Sequence, residues 1–133
     1  MIGLDTNILV RYIVRDDLRQ TKAATRLIES RCTADDPGLV ASIVLCEIAW
    51  VLNRAYGYDR DAISAVLRRL LTVEELRVQE SDLAWSALNL FENGKADFAD
   101  YMIGVFNQVQ YVEATYTLDR DAAESPLFKL LPA

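Results

Sequence analysis

Apolar residues open the chain, in a run of strand length that stops at one carboxylate, Asp5, and passes at once into a helical pattern from Thr6 to Val14. A second helix is predicted from about Leu18 to Ser30, with Asp16 or Asp17 as its cap and Ala23, Ala24, Leu27 and Ile28 as its buried stripe. Cys32 to Gly38 is predicted to turn at Asp36-Pro37-Gly38, and Leu39-Val40-Ala41 to form a second strand. Ser42 is placed as the cap of a helix from Ile43 to about Ala55, which ends before Gly57. Ile63, Val66, Leu67, Leu70 and Leu71 give the cleanest amphipathic stripe, able to pack on the preceding helix or on a second subunit.

Leu76 to Gln79 is the third strand candidate, and Asp82 the expected cap of a helix from Leu83 to Phe91 that buries Ala84, Ala87, Leu88 and Phe91. Beyond Asn93-Gly94, a helix starting near Asp97 is apolar nearly all round to Val109, as for a helix buried against a sheet. Val112 to Tyr116 is a fourth strand, and Phe128 to Leu131 a short edge strand. Strands alternating with helices predict an α/β fold, a three-layer α/β/α sandwich around a central, mostly parallel sheet of four to five strands. Without an internal repeat or a linker, residues 1–133 are expected to form a single domain.

Composition narrows the chemistry. The chain has no histidine, which removes the commonest general base and the commonest transition-metal ligand, and with them any serine or cysteine triad built on histidine. Cys32 and Cys46 lack zinc-type spacing and are expected as free thiols, Cys46 in the core. No apolar run approaches the roughly 20 residues of a membrane span, and the N-terminus lacks a signal-peptide pattern, so a cytoplasmic protein without membrane contact is expected. A net charge of -6 argues against nucleic-acid binding by a general basic surface. Residues 11 to 31 nevertheless carry a local excess of three positive charges, which leaves room for an acidic site with a basic flank.

The acids recur in comparable settings. Asp5 and Asp119 follow strands, where open parallel sheets bind their ligands, although Asp5 can equally cap the next helix. Glu47 lies about one turn into a helix among Leu45, Cys46, Ile48, Ala49 and Trp50, and it is either an exposed position or an acid that needs a partner. Asp97 and Asp100 share the first turn of their helix, so capping is assigned to Asp97 and chemistry to Asp100. Should the four meet, their repulsion calls for a cation, and oxygen-only ligands favour a hard one, Mg²⁺ or Mn²⁺. Such a cation activates water for phosphodiester hydrolysis.

Leu4-Asp5-Thr6-Asn7, Glu47-Ile48-Ala49-Trp50-Val51-Leu52, Ala96-Asp97-Phe98-Ala99-Asp100 and Thr117-Leu118-Asp119, in this order, resemble the motifs of PIN-domain nucleases, and within them VapC-type toxins of toxin-antitoxin pairs. The resemblance covers essentially the whole chain. It implies a Mg²⁺- or Mn²⁺-dependent endoribonuclease, a homodimer, and a cognate VapB-like antitoxin whose tail covers the active site. It also implies that Asp5, Glu47, Asp100 and Asp119 are the catalytic, metal-binding acids, with Asp97 a further acid of the subgroup. Thr6 and Asn7 would support the first carboxylate and Thr117 the last. After Asp119, Asp121-Ala122-Ala123 stands where the family often has an aromatic.

Arg11 and Arg15, four apart on the first helix, offer either RNA phosphate contacts or a solvated face. A haloacid-dehalogenase-type phosphatase would need an acid where Asn7 stands, and a phospho-receiver domain an acidic pair near the first strand. The alternative outside catalysis is a non-catalytic PIN subunit of a DNA-binding regulatory complex, its antitoxin-like partner supplying the basic surface.

Overall fold

A computed structural model describes residues 1–133, and the chain divides into two compact units, Met1–Ser81 and Asp82–Ala133. The first contains α1 (Thr6–Val14), α2 (Leu18–Arg31), β1 (Gly38–Val40), α3 (Ser42–Tyr56), α4 (Arg60–Thr72) and β2 (Leu76–Val78). The second contains α5 (Ser81–Asn93, starting at the boundary), α6 (Phe98–Gln108), β3 (Thr115–Thr117), a 3-10 turn (Ala122–Glu124) and β4 (Phe128–Leu130). The fold class is α/β, and every strand pairing is parallel.

Strand pairing is confined to two short ladders, β1 with β2 and β3 with β4. Residues 2–4 run beside β1 without reaching strand length: Gly3 forms a parallel bridge to Leu39, the Leu4 amide donates to the Leu39 carbonyl at 2.9 Å, and the Leu39 amide donates to that of Ile2 at 2.7 Å. This ladder fixes where the chain leaves the sheet, and Asp5 is the first residue beyond it.

In the first unit α1 packs on α2 and α3, α3 on α4, and α4 on β2. The shared interior contains Leu9, Leu45, Ile48, Leu52 and Leu67, all fully buried, each contributing roughly 1.5–3 kcal/mol by leaving water. The amphipathic stripe of α4 therefore has its partner within the chain. In the second unit α5 buries Ala84, Ala87, Leu88 and Phe91, as its periodicity predicts, and the Phe91 ring meets Phe98 edge-on with centroids 6.2 Å apart.

Several local expectations are corrected. Ser42 is the first residue of α3 rather than its cap; Ala41 stands at the cap position, and the Ser42 amide donates to Gln79 Oε1 at 3.3 Å. Asp82 lies inside the first turn of α5, where the helix dipole favours its charge, because the helix begins at Ser81. The core cysteine is Cys32, whereas Cys46 is only partly buried. Helix α6 is apolar but not enclosed: Phe98, Tyr101, Met102 and Val105 face inward, while Ile103, Phe106 and Val109 are exposed. The fourth strand runs over Thr115–Thr117 instead of Val112 to Tyr116, since its partner β4 starts at Phe128 and the register pairs that residue with Thr115. No helix is long and apolar enough to cross a membrane.

Candidate functional site

Each unit carries its own set of carboxylates. In the first, Asp5 leaves the short ladder in extended geometry and caps α1, its Oδ1 accepting from the Thr6 amide at 2.7 Å. The Thr6 hydroxyl donates to Glu47 Oε1 at 2.8 Å, across 41 positions of sequence. One residue thus binds the first acid through its backbone and the second through its side chain. Glu47 is an exposed residue of α3, and its partner is this hydroxyl rather than a buried cation. Asn7 lies exposed one position further along α1.

The capping assigned to Asp5 as an alternative and the role assigned to it as a site residue are compatible, because a cap consumes one oxygen of the two. Next to Glu47, the Cys46 thiol is pushed up to about 11, first by burial and then by the neighbouring negative charge. That makes it a neutral packing group at physiological pH rather than a nucleophile.

In the second unit Asp97 stands at the N-cap of α6, and Asp100 reaches back, Oδ2 accepting from the Asp97 amide at 3.2 Å, as in a capping box. Asp100 is half-buried, and burial raises its pKa above the ordinary carboxylate value; the charges of Asp119 and Asp97 raise it further, against the lowering effect of the hydrogen bond to the Asp97 backbone. Asp119 follows β3, and its Oδ1 accepts from the amides of Asp121 at 2.8 Å and Ala122 at 3.2 Å, so it opens the 3-10 turn. Thr117 holds this corner by accepting from the Asp119 amide at 3.0 Å. Where the aromatic of the resembling motif is missing, Asp121 and Ala122 supply backbone donors to the preceding acid.

No three acidic or cysteine side chains stand at the spacing of a preformed metal cage. Within each unit the acids are held instead by backbone amides and threonine hydroxyls, one oxygen at a time, which leaves the other oxygen of Asp5, Asp100 and Asp119 available. The donor set fits a hard divalent cation: it is oxygen-only, and Asp100 is an anion resisted by its surroundings and by two like charges, the condition a cation relieves.

The raised pKa of Asp100 has a sign that can be tested. Since the folded state favours the protonated form, the associated stability is present below the unfolded carboxylate pKa and is lost as pH rises through the folded value. In the presence of EDTA the melting temperature of the native chain should fall more between mildly acidic and neutral pH than that of Asp100→Asn. Equal pH profiles for the two proteins would contradict this account.

The two arginines expected to flank the site differ. Arg11 donates to Gln20 Oε1 at 2.6 Å, to Asp16 Oδ1 at 2.7 Å and to the Tyr56 hydroxyl at 3.1 Å, and the bond to Asp16 raises its pKa further. Its charge is already spent on tying α1 to the chain that follows. Asp17, in turn, caps α2 by accepting from the Gln20 amide at 3.0 Å. Arg15 ends α1 in left-handed geometry at φ 61°, exposed, with its guanidinium 5.6 Å from the Tyr12 ring centre.

Sequence reasoning overlooked one feature beside Glu47. Ile43, Glu47, Trp50 and Arg54 share one exposed face of α3, and the Arg54 guanidinium lies 5.4 Å from the Trp50 ring centre. The spacing of four, three and four residues was there to be found, but Trp50 reads as core when only apolar character is counted.

Compared with known families, residues 2–125 match the model of the PIN domain. No curated protein matches the chain.

Proposed function

The chain belongs to the PIN domain family, whose members are generally metal-dependent nucleases, and from that premise we propose that it is a Mg²⁺- or Mn²⁺-dependent endoribonuclease acting as the toxin of a VapBC-type pair. The observation that carries the reading is that the four acids of the matched motifs are each individually positioned: Asp5 and Glu47 through Thr6, Asp100 through the Asp97 amide, and Asp119 through the amides after it.

In this reading Asp5 and Glu47 in the first unit, and Asp100, Asp119 and Asp97 in the second, are the acids that serve the ion, directly or through water. A bound divalent ion would supply charge to the phosphodiester and make water a competent nucleophile near neutral pH. The protein's part is to keep its carboxylates aimed. Asp100 is an anion resisted by burial and by two like charges, and so an acid that gains from a cation. With no histidine in the chain, proton transfer at neutral pH falls to solvent or to carboxylates.

Thr6 is the positioning residue. Thr6→Val removes the hydroxyl and keeps the shape, so metal-dependent cleavage is expected to drop by at least about tenfold, the cost of losing one hydrogen bond to a charged group. Thr6→Ser should retain most of the activity, and a fully active Thr6→Val would remove Thr6 from this role.

The test of the whole reading is cleavage of single-stranded RNA with Mg²⁺ or Mn²⁺, against EDTA. Cutting in the presence of the ion alone supports it. Absence of cutting with any divalent ion, together with partner-dependent DNA binding, would point instead to a non-catalytic subunit. The proposed homodimer is supported by the exposed apolar residues Ile103, Phe106 and Val109, which follow one another at helical spacing at the end of α6. The proposed VapB-like antitoxin would be recognised by its ability to abolish cleavage.

A further inference from the structure

Helix α3 presents an arrangement whose chemistry goes beyond the acids. Trp50 is 59% exposed and Ile43 is 68% exposed, on a helix whose opposite face, Leu45, Ile48 and Leu52, is fully buried. An exposed indole offers a large apolar face to a binding partner, which is why tryptophan is enriched at interfaces. Trp50 lies one turn beyond Glu47 on the same face, and Arg54 one further turn on, about 4.5 Å and about 10.5 Å from Glu47 along the axis at the ordinary helical rise. Arg54 sits against the indole at 5.4 Å, a cation–π contact that limits the ring's freedom.

From this juxtaposition we propose that Trp50 is a stacking platform for an unpaired base of the RNA strand and Arg54 the contact for a phosphate beside it, so that the exposed face of α3 is a nucleotide-binding subsite adjoining Glu47. The inference rests on the nuclease reading for the identity of the strand. Charge complementarity favours a nucleic acid as occupant. The face runs from an acid anchored by Thr6, which suits an ion-bridged phosphate, through a neutral π-surface to a cation. A base offers a π-face to the indole and a phosphate offers its charge to the guanidinium. In an acidic protein such a localised pair stands in for the general basic surface that the net charge of -6 argues against. A duplex hides its base faces in its own stack, so the subsite selects unpaired nucleotides.

The chain contains two tryptophans, and Trp85→Phe leaves Trp50 as the sole indole reporter. In that background, with EDTA present to prevent cleavage, a single-stranded RNA oligonucleotide should quench the fluorescence, and an abasic oligonucleotide of equal length should not. Trp50→Ala should weaken binding on the order of tenfold to a hundredfold, the range for loss of one base stack, and Trp50→Phe should recover most of it. Arg54→Ala should lower the slope of log affinity against log salt by roughly one.

With Mg²⁺ or Mn²⁺, Trp50→Ala should raise KM and leave kcat nearly unchanged. If the native chain cuts RNA and Trp50→Ala matches it in affinity and KM, the subsite is refuted and the nuclease reading stands. Quenching by RNA but not by the abasic strand, in a chain that cuts nothing, would retain the subsite and sink the nuclease reading. A Trp50→Ala variant that changes the subunit count in light scattering while its RNA affinity is unaltered would assign this face to protein contact and overturn the proposal.

Discussion

Asp100→Asn is expected to abolish metal-dependent RNA cleavage, by on the order of a hundredfold or more, the scale on which loss of preorganised charge stabilisation is felt. The native fold should persist, because an asparagine oxygen can still accept from the Asp97 amide and close the turn that starts α6. Mn²⁺ is expected to raise the melting temperature of the native chain, and the same substitution should remove that rise. Asp5→Asn is the matching change in the other unit: asparagine caps a helix as well as aspartate does, so α1 keeps its start while the negative charge beside Thr6 is lost. Both variants should therefore melt within a few degrees of the native chain in EDTA. Full activity in both would end the catalytic assignment. Loss of fold in either would mean that capping outweighs chemistry at that position.

The largest expected effect on stability lies at Gly94, between α5 and α6. A Cβ there would overlap the Tyr101 hydroxyl and come within 2.9 Å of Tyr101 Cζ and 3.0 Å of the Leu90 carbonyl. Tyr101 is buried to 2% exposure, and its hydroxyl accepts from the buried Ala96 amide at 3.2 Å, so the ring has nowhere to retreat without orphaning that donor. Gly94→Ala is expected to cost roughly 2–4 kcal/mol, from overpacking plus a buried amide without its acceptor. For a chain of this size that lowers the melting temperature by about 10 °C. Because the clash is chiefly with the hydroxyl, Gly94→Ala combined with Tyr101→Phe should be more stable than Gly94→Ala alone, a coupling that independent sites would not show. The Ala96–Tyr101 contact closes over Asp97 and Asp100, which lie between these two residues in the chain, so displacement of the ring should also reduce cleavage.

How far this was legible in the sequence follows from what each signal measures. Helix α1 was found to the residue, since Asp5 is a preferred cap and its pattern begins at once. Helix α5 was found with its buried set complete, because one apolar stripe on a soluble helix has one plausible destination. The strands were harder: three residues carry too little alternation to fix a register, so β3 was placed three residues early, over Val112 and Glu113, both of which are exposed. Caps were misplaced at Ser42 and Asp82 because several adjacent residues could start each helix, and packing made the choice.

The candidate acids were visible from their order and context. Their anchoring was not: Thr6 reaching Glu47 is a contact between distant positions, and composition or spacing does not report it. Trp50 escapes a reading by composition because an aromatic among aliphatics resembles core, and only the phase of α3 reveals that its ring is outside. Arg11 is the opposite case: its charge is visible in the sequence, but its three partners are not.

The parallel ladders also bear on the order in which the chain acquires its structure. β3 and β4 join positions 13 apart, Thr115 with Phe128, whereas β1 and β2 join positions 38 apart, Gly38 with Leu76. Loop-closure entropy makes the longer connection costlier by about 1 kcal/mol before any contact repays it. The corner bearing Asp119 can therefore assemble early and locally. The junction of Thr6 with Glu47 must wait for α1 and α3 to meet across 41 positions of sequence.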